Sequence, residues 1–434
     1  MAGLGLFVLL LSLCVPTVAF EVHKNHPLFI LDEFSYADYL QKVDDGQPFV
    51  RKGEITGQKT LRELACRGFT PDSLWPVRPP CDAPSYDASA FPNGGVDSAD
   101  VHPPTYFIVT DIGARAIMAV GITHNLIQAG RLFGAVWMAA GLLAIWYLAR
   151  AFGANRWAAG LGLALVAANP GLRWEWYYLT PDASNILIGA LVVLAALHWE
   201  RSGRGGLPLL VGAGALAMAF KFPNLIVVVA MAAYMAVRAV LARRASPADR
   251  AVSGFLEPRR YVLAAIGLLG GAGVAAVGWL AVRLALAVSR GPSPMDQHYG
   301  VSGLGIRQLT ENVGRFISVW DVSAAKSYPF ALITSYVLVG SLLAAVVRFD
   351  HHDRRHTLAS VGGVMVVIGP LLLVVSTVLA AGAYFVVEAR YGATLVPLEI
   401  ALAACLWRSR ASLIAVGTLV VTYNAAVFLL VLRQ

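Results

Sequence analysis

The feature that most constrains this chain is a succession of long apolar runs divided by short, arginine-bearing loops. The runs lie at 3–20 and then at roughly 130–149, 156–170, 184–199, 206–220, 223–242, 261–282, 329–348, 358–380, 391–407 and 411–431. Inside a bilayer the backbone has no water to bond, so an open chain crosses only as a helix that closes its own hydrogen bonds. About 20 apolar residues span the hydrocarbon. The expectation is an all-α polytopic membrane protein, a bundle of about 11 transmembrane helices. Composition agrees: 57% of the 434 residues are hydrophobic and 14% charged, with a mean hydropathy of +0.64, outside the range of soluble domains. The net charge of +8 does not imply nucleic acid. The basic side chains sit in short loops, where they orient helices in the lipid bilayer.

Three regions follow. Residues 1–20 read as a first transmembrane helix, a retained signal anchor. Thr17-Val18-Ala19 resembles a processing site, but no positive charge precedes the apolar run as in a cleaved signal peptide. Residues 21–129, rich in Asp, Pro and Gly, are too long for a structureless connection and read as an external loop with juxtamembrane helices. Residues 130–434 form the transmembrane helical bundle. Arg150 and Arg156, Arg201 and Arg204, then Arg243, Arg244, Arg250, Arg259 and Arg260, then Arg348, Arg354 and Arg355, and last Arg408 and Arg410 mark five cytoplasmic loops. The alternate loops face outward: 171–183, the joint at Lys221, 283–328 and 382–391. By parity 21–129 is external too, so 105–121 does not cross. Asp111 and Arg115, four apart there, suit a helix lying along the interface. The count is eleven spans, N-terminus inside and C-terminus outside.

No zinc spacing of cysteines occurs, and no metal site is assigned. Cys14 and Cys405 lie in apolar runs and read as packing residues. Cys66 and Cys81 share the polar region and would close a short loop. An oxidising exterior favours a disulfide between them, with two free thiols as the alternative.

Under this topology Asp32, Glu33, His102, Asp182, Lys221 and Arg390 all fall on the external side, near a membrane boundary. A carboxylate within hydrogen-bond reach is a good general base for a hydroxyl. A departing phosphate needs positive charge, and the planar fork of Arg matches two of its oxygens. Each residue also has a plainer reading. Asp32-Glu33 suits a solvated loop face, and Thr180-Pro181-Asp182 suits the first turn of a helix. Lys221 suits a snorkelling helix end, Arg390-Tyr391 an interfacial anchor pair, and His102-Pro103-Pro104 an extended turn. Trp174-Glu175-Trp176-Tyr177-Tyr178 suits a sugar-stacking wall or an interfacial belt equally. His351-His352-Asp353-Arg354-Arg355-His356 looks metal-binding but reads better as a solvated cytoplasmic loop.

In order, Asp32-Glu33, His102-Pro103-Pro104-Thr105-Tyr106, Tyr178-Leu179-Thr180-Pro181-Asp182, the run Gly212 to Phe220-Lys221-Phe222-Pro223, and Arg390-Tyr391 before Leu395-Val396-Pro397-Leu398 span about residues 20–400. This ordered set resembles the membrane-embedded glycosyltransferases of the GT-C class. That class includes the protein O-mannosyltransferases, aminoarabinose transferases, oligosaccharyltransferase catalytic subunits and actinobacterial arabinofuranosyl- and mannosyltransferases. The resemblance implies a polyprenyl-phosphate-linked sugar donor, an active site on the periplasmic or extracellular face of the inner (plasma) membrane, and a base in the first external loop.

The resulting expectation is a glycosyltransferase moving a sugar from a polyprenyl-phosphate donor to an acceptor hydroxyl on a glycan, lipid or protein. Asp32 is the first choice of base and Glu33 the second. Asp182, His102 and Tyr178 position acceptor or donor; Arg390, Tyr391 and Lys221 bind the donor phosphate. No cofactor is required. No clear Asp-x-Asp pair is present, which argues against an obligatory divalent metal and leaves an optional one open. The alternatives are a transporter or flippase for lipid-linked sugars, or a non-catalytic assembly subunit. Transporters place charge mid-span, whereas here charge gathers at one face.

Overall fold

A computed structural model describes residues 2–29, 32–70, 78–203, 206–246, 255–289, 306–317, 328–381 and 387–432. The protein is all-α and polytopic, and the apolar runs of the sequence are its long helices. These are α1 (Ala2–Lys24), α5 (Leu126–Ala151), α6 (Arg156–Ala168), α8 (Asn185–Ser202), α9 (Gly206–Phe220), α10 (Leu225–Arg244), α11 (Pro258–Ala285), α13 (Tyr328–Arg348), α14 (Arg354–Ala381), α15 (Val396–Leu406) and α16 (Arg410–Leu432). Shorter helices are α2 (Glu33–Asp44), α3 (Gln58–Arg67), α4 (Thr105–Ala119), α7 (Pro170–Tyr177) and α12 (Ile306–Ile317). Among the described residues, six helices are long and apolar enough to cross a membrane, and five shorter ones are apolar. Leu4, Val8, Leu9 and Leu13 of α1 and Val274 and Val277 of α11 stand exposed, a surface suited to lipid and not to water. Arg204, Arg250 and much of the expected outward loops 283–328 and 382–391 lie outside the described residues.

Local chemistry sets the boundaries. Asn125, Asn155 and Asn169 cap α5, α6 and α7, each side chain accepting the backbone N–H three residues on, as an N-cap Asn does. The cap at Asn169 ends the expected 156–170 span early and opens the short α7. The expected span 391–407 is likewise not one helix. Residues Ala389–Thr394 form a 3-10 turn, and α15 begins at Val396 with Pro397 in its first turn, where a missing N–H is harmless. That turn rests on α8 at Gly189, and α7 rests on α5 at Gly134. A β-carbon at either glycine would run into the carbonyl of Thr394 or Trp176.

The polar region forms a layer of its own. Leu28 and Phe29 pair in parallel with Phe69 and Thr70. Cys66 and Cys81 are joined by a disulfide. Lys42 reaches Asp38 at 2.7 Å and the Ile55 carbonyl at 3.2 Å, pinning the following loop to α2. The helix expected within 105–121 forms as α4 and packs on α2 and α5. Its Asp111 and Arg115 pair at 2.8 Å, and Arg115 donates to the Asp44 carbonyl at 2.7 Å.

Candidate functional site

Two helix openings built alike deliver the anchoring charges. Thr180 is extended (φ −155°, ψ 138°), Pro181 starts a 3-10 turn, and α8 follows. Lys221 is extended (φ −163°, ψ 138°), Pro223 lies in a 3-10 turn, and α10 follows. Proline presets the helical φ, so in each case an extended residue is followed at once by a rigid turn. The result is a contact of 2.5 Å between Lys221 Nζ and Asp182 Oδ1.

Asp182 is the centre of the cluster. Its Oδ1 also accepts from Asn185 Nδ2 at 2.8 Å, while Oδ2 accepts from Thr180 Oγ1 at 3.1 Å and lies 3.2 Å from Arg390 Nε. Arg390 comes from the turn before α15 and donates through Nη2 to Asp32 Oδ2 at 2.6 Å. The side chains of Asp182, Lys221 and Arg390 are 0, 1 and 8% exposed, and that of Asp32 is 17% exposed. Two carboxylates thus meet two cations in a nearly dry environment, and the mutual pairing offsets the cost of desolvating each. Burial works against the Arg390 charge, but Asp32 and Asp182 more than offset it and hold the guanidinium ionised. Burial pushes the Asp32 carboxyl above its ordinary value against the pull of Arg390 and Lys221.

His102 stands beside this group. Its Nε2 and the Tyr36 hydroxyl are 3.2 Å apart, and its carbonyl accepts from Tyr39 at 3.3 Å. Burial, with Lys221 adding to it, pushes the His102 pKa well down, so the ring is neutral at pH 7, and its Nδ1 has no hydrogen-bond partner among the described residues. Aromatic faces flank the cations. Arg390 lies 5.7 Å from the Trp174 ring centroid and 5.6 Å from that of Tyr391, and Lys221 lies 5.1 Å from Tyr391. Such contacts stabilise partly desolvated cations. Glu175 is buried, and among the described residues neither of its carboxyl oxygens has a hydrogen-bond partner. Burial, and then Asp182, push its pKa well up, against the pull of Lys221 and Arg390, which favours the neutral acid.

The structure therefore brings together Asp32, His102, Asp182, Lys221, Arg390 and Tyr391. Glu33 and Tyr178 belong to a different group. Glu33 receives Arg131 through two bonds, at 2.7 and 2.6 Å, and accepts the backbone N–H groups of Phe29 and Leu179, each at 2.8 Å. Every direction from which a carboxylate could take a proton is occupied, and both side chains are buried. Tyr178 lies beside that pair, its ring 5.1 Å from the Arg131 guanidinium. Arg131, Tyr36 and Glu175 were missed in the sequence. Arg131 did leave a signal, since a charge inside an apolar run is costly unless paired.

The segment near residues 351–356 is only partly the solvated loop expected. Asp350, His351 and His352 bring ligand atoms within 4.8 Å of one another, the only such grouping among the described residues, with Asp350 and His351 exposed. Arg354, by contrast, turns inward to Glu200 at 3.0 Å.

The chain matches no model of a known protein family, and comparison with curated proteins finds no match. The geometry therefore carries the functional argument. It offers a partly exposed carboxylate, two buried cations that meet at Asp182, and aromatic faces beside them. Cations of this kind can hold an anionic group once a carboxylate yields, and a carboxylate so released can take up a proton.

Proposed function

We propose that the protein is a membrane glycosyltransferase of GT-C type. It takes a sugar from a polyprenyl-phosphate donor and places it on an acceptor hydroxyl of a glycan, lipid or protein. The proposed topology has eleven crossings, to which the six long and five shorter apolar helices lend support. It places the Asp32 cluster on the external face of the plasma membrane.

In the reaction, Asp32 takes the proton of the acceptor hydroxyl as its oxygen bonds to the anomeric carbon. The bond from that carbon to the donor phosphate breaks, and the electron pair leaves on the phosphate oxygen. Arg390 and Lys221 stabilise that oxygen where the charge develops. Asp182 aligns the two cations, and the neutral His102 and Tyr36 border the site. Asp32 is preferred over Glu33 because Glu33 has no free lone-pair direction beside Arg131. The observation that carries the reading is the pairing of one partly exposed carboxylate with two buried cations fixed by Asp182.

The test is transfer of radiolabelled sugar from polyprenyl-phosphate donors to a membrane-extract acceptor by purified protein. Wild type is expected to transfer, and Asp32→Asn to lose about a hundredfold or more. Folded wild type that binds a lipid phosphate yet transfers no sugar from any donor would turn the reading to a carrier or assembly subunit.

A further inference from the structure

The cluster is charge-balanced as it stands: Asp32 and Asp182 against Arg390 and Lys221. A buried site with no net positive charge is poorly suited to an incoming phosphate, because desolvating the anion is not compensated. One carboxylate must give way. Asp182 is fully buried and held by four groups, Lys221, Asn185, Thr180 and Arg390. Asp32 has one ion pair, the largest exposure of the four, and a helix of its own beside it. It occupies the N-cap position of α2, yet its side chain caps nothing in this state. An N-cap carboxylate in extended backbone accepts the N–H groups opening its helix; Asp32 stands at φ −171° and ψ −17°, so its second seat requires the backbone to turn with the side chain.

We infer that Asp32 is a displaceable counter-ion on Arg390: an anionic lipid phosphate takes its place, and by doing so frees the carboxylate that acts as base. This rests on the reading that Arg390 and Lys221 receive the donor phosphate. Before the phosphate arrives the base is masked by an arginine; afterwards it faces the reaction and an anion, which favours its taking up a proton. Donor therefore binds before the acceptor hydroxyl can be deprotonated.

The experiment measures binding of farnesyl monophosphate, a short polyprenyl monophosphate without sugar, to detergent-solubilised full-length protein. Removing a competing counter-ion removes the penalty of an occupied site. Asp32→Asn and Asp32→Ala are both expected to bind the probe about tenfold more tightly than wild type, and Arg390→Gln to lose binding. Equal or weaker binding by the two Asp32 variants at an unchanged unfolding temperature overturns the exchange, as does undiminished binding by Arg390→Gln. The outcome is separable from the proposed reaction. Tighter binding in the Asp32 variants with no sugar transfer by wild type keeps the exchange and removes the transferase. Transfer by wild type without tightening in the variants does the reverse.

Discussion

Helix α8 has a buried carboxylate near each end, and the two are surrounded differently. At the C-terminal end, Glu200 Oε1 lies 2.9 Å from Arg238 Nε and accepts from the Tyr261 hydroxyl at 2.7 Å. Its Oε2 accepts from the Tyr234 hydroxyl at 2.5 Å and lies 3.0 Å from Arg354 Nε. Among the described residues, Glu200 is the only carboxylate in an ion pair with Arg238 or Arg354. At the other end Asp182 is as fully engaged, but its Arg390 is shared with Asp32, and Glu175 nearby has two bare oxygens. A saturated carboxylate holds helices together. A shared cation and an unpartnered acid leave capacity for something else. The same contrast separates the neighbours Glu33 and Asp32.

The largest effect that sharpens this contrast is on stability. Glu200→Gln and Glu33→Gln each strand buried arginine charge and should cost about 3–5 kcal/mol. This would be read as a lower unfolding temperature in detergent, with transfer per folded molecule nearly unchanged. An unaltered unfolding temperature in both would erase the distinction. Next is Asp32→Asn, expected to lose about a hundredfold or more in transfer with unfolding unchanged.

Third comes the acid pair in the polar layer. Asp97 is buried and faces Asp38 and Lys42; burial, then Asp38, raise its pKa well above the ordinary value. The folded protein therefore keeps a proton that the unfolded chain releases, and stability falls as pH rises from the ordinary Asp range through the folded pKa. Asp97→Asn keeps an acceptor for the Ala99 N–H and offers Asp38 a donor. It should be more stable than wild type by roughly 1 kcal/mol at pH 8, with the gap closing toward pH 4. A gap that widens on acidification would refute this assignment. The smallest effect is that of Glu175→Gln, which mimics a neutral acid. Transfer should stay within about twofold and stability within roughly 0.5 kcal/mol. A large loss of transfer would mean that Glu175 ionises in the reaction.

Much of this was legible because it is one-dimensional. Apolar runs give helices, and Cys66 and Cys81 stand in one polar region close enough to pair. Proline after Thr180 and near Lys221 marks helix openings, and the order Asp32, Asp182, Lys221, Arg390 places charge at those openings. The division of labour between Asp32 and Glu33 was not legible. Successive residues at a helix start point about 100° apart, and their partners, Arg390 and Arg131, come from distant parts of the chain. Arg354 was read as solvated because its loop is basic, whereas Glu200 draws it inward from another helix. Glu175 hides between tryptophans, and its lack of partners is a property of the packed interior alone.

The two proline-led helix openings have a thermodynamic consequence. Fixing a backbone residue costs roughly 1–2 kcal/mol in conformational entropy, and rigid turns incur that loss when the chain folds. Asp182 and Lys221 are thus already ordered before any ligand arrives. In the proposed reaction, phosphate binding would have chiefly one aspartate side chain left to order, so the encounter would forfeit little freedom and more of the ion-pair energy would remain as affinity.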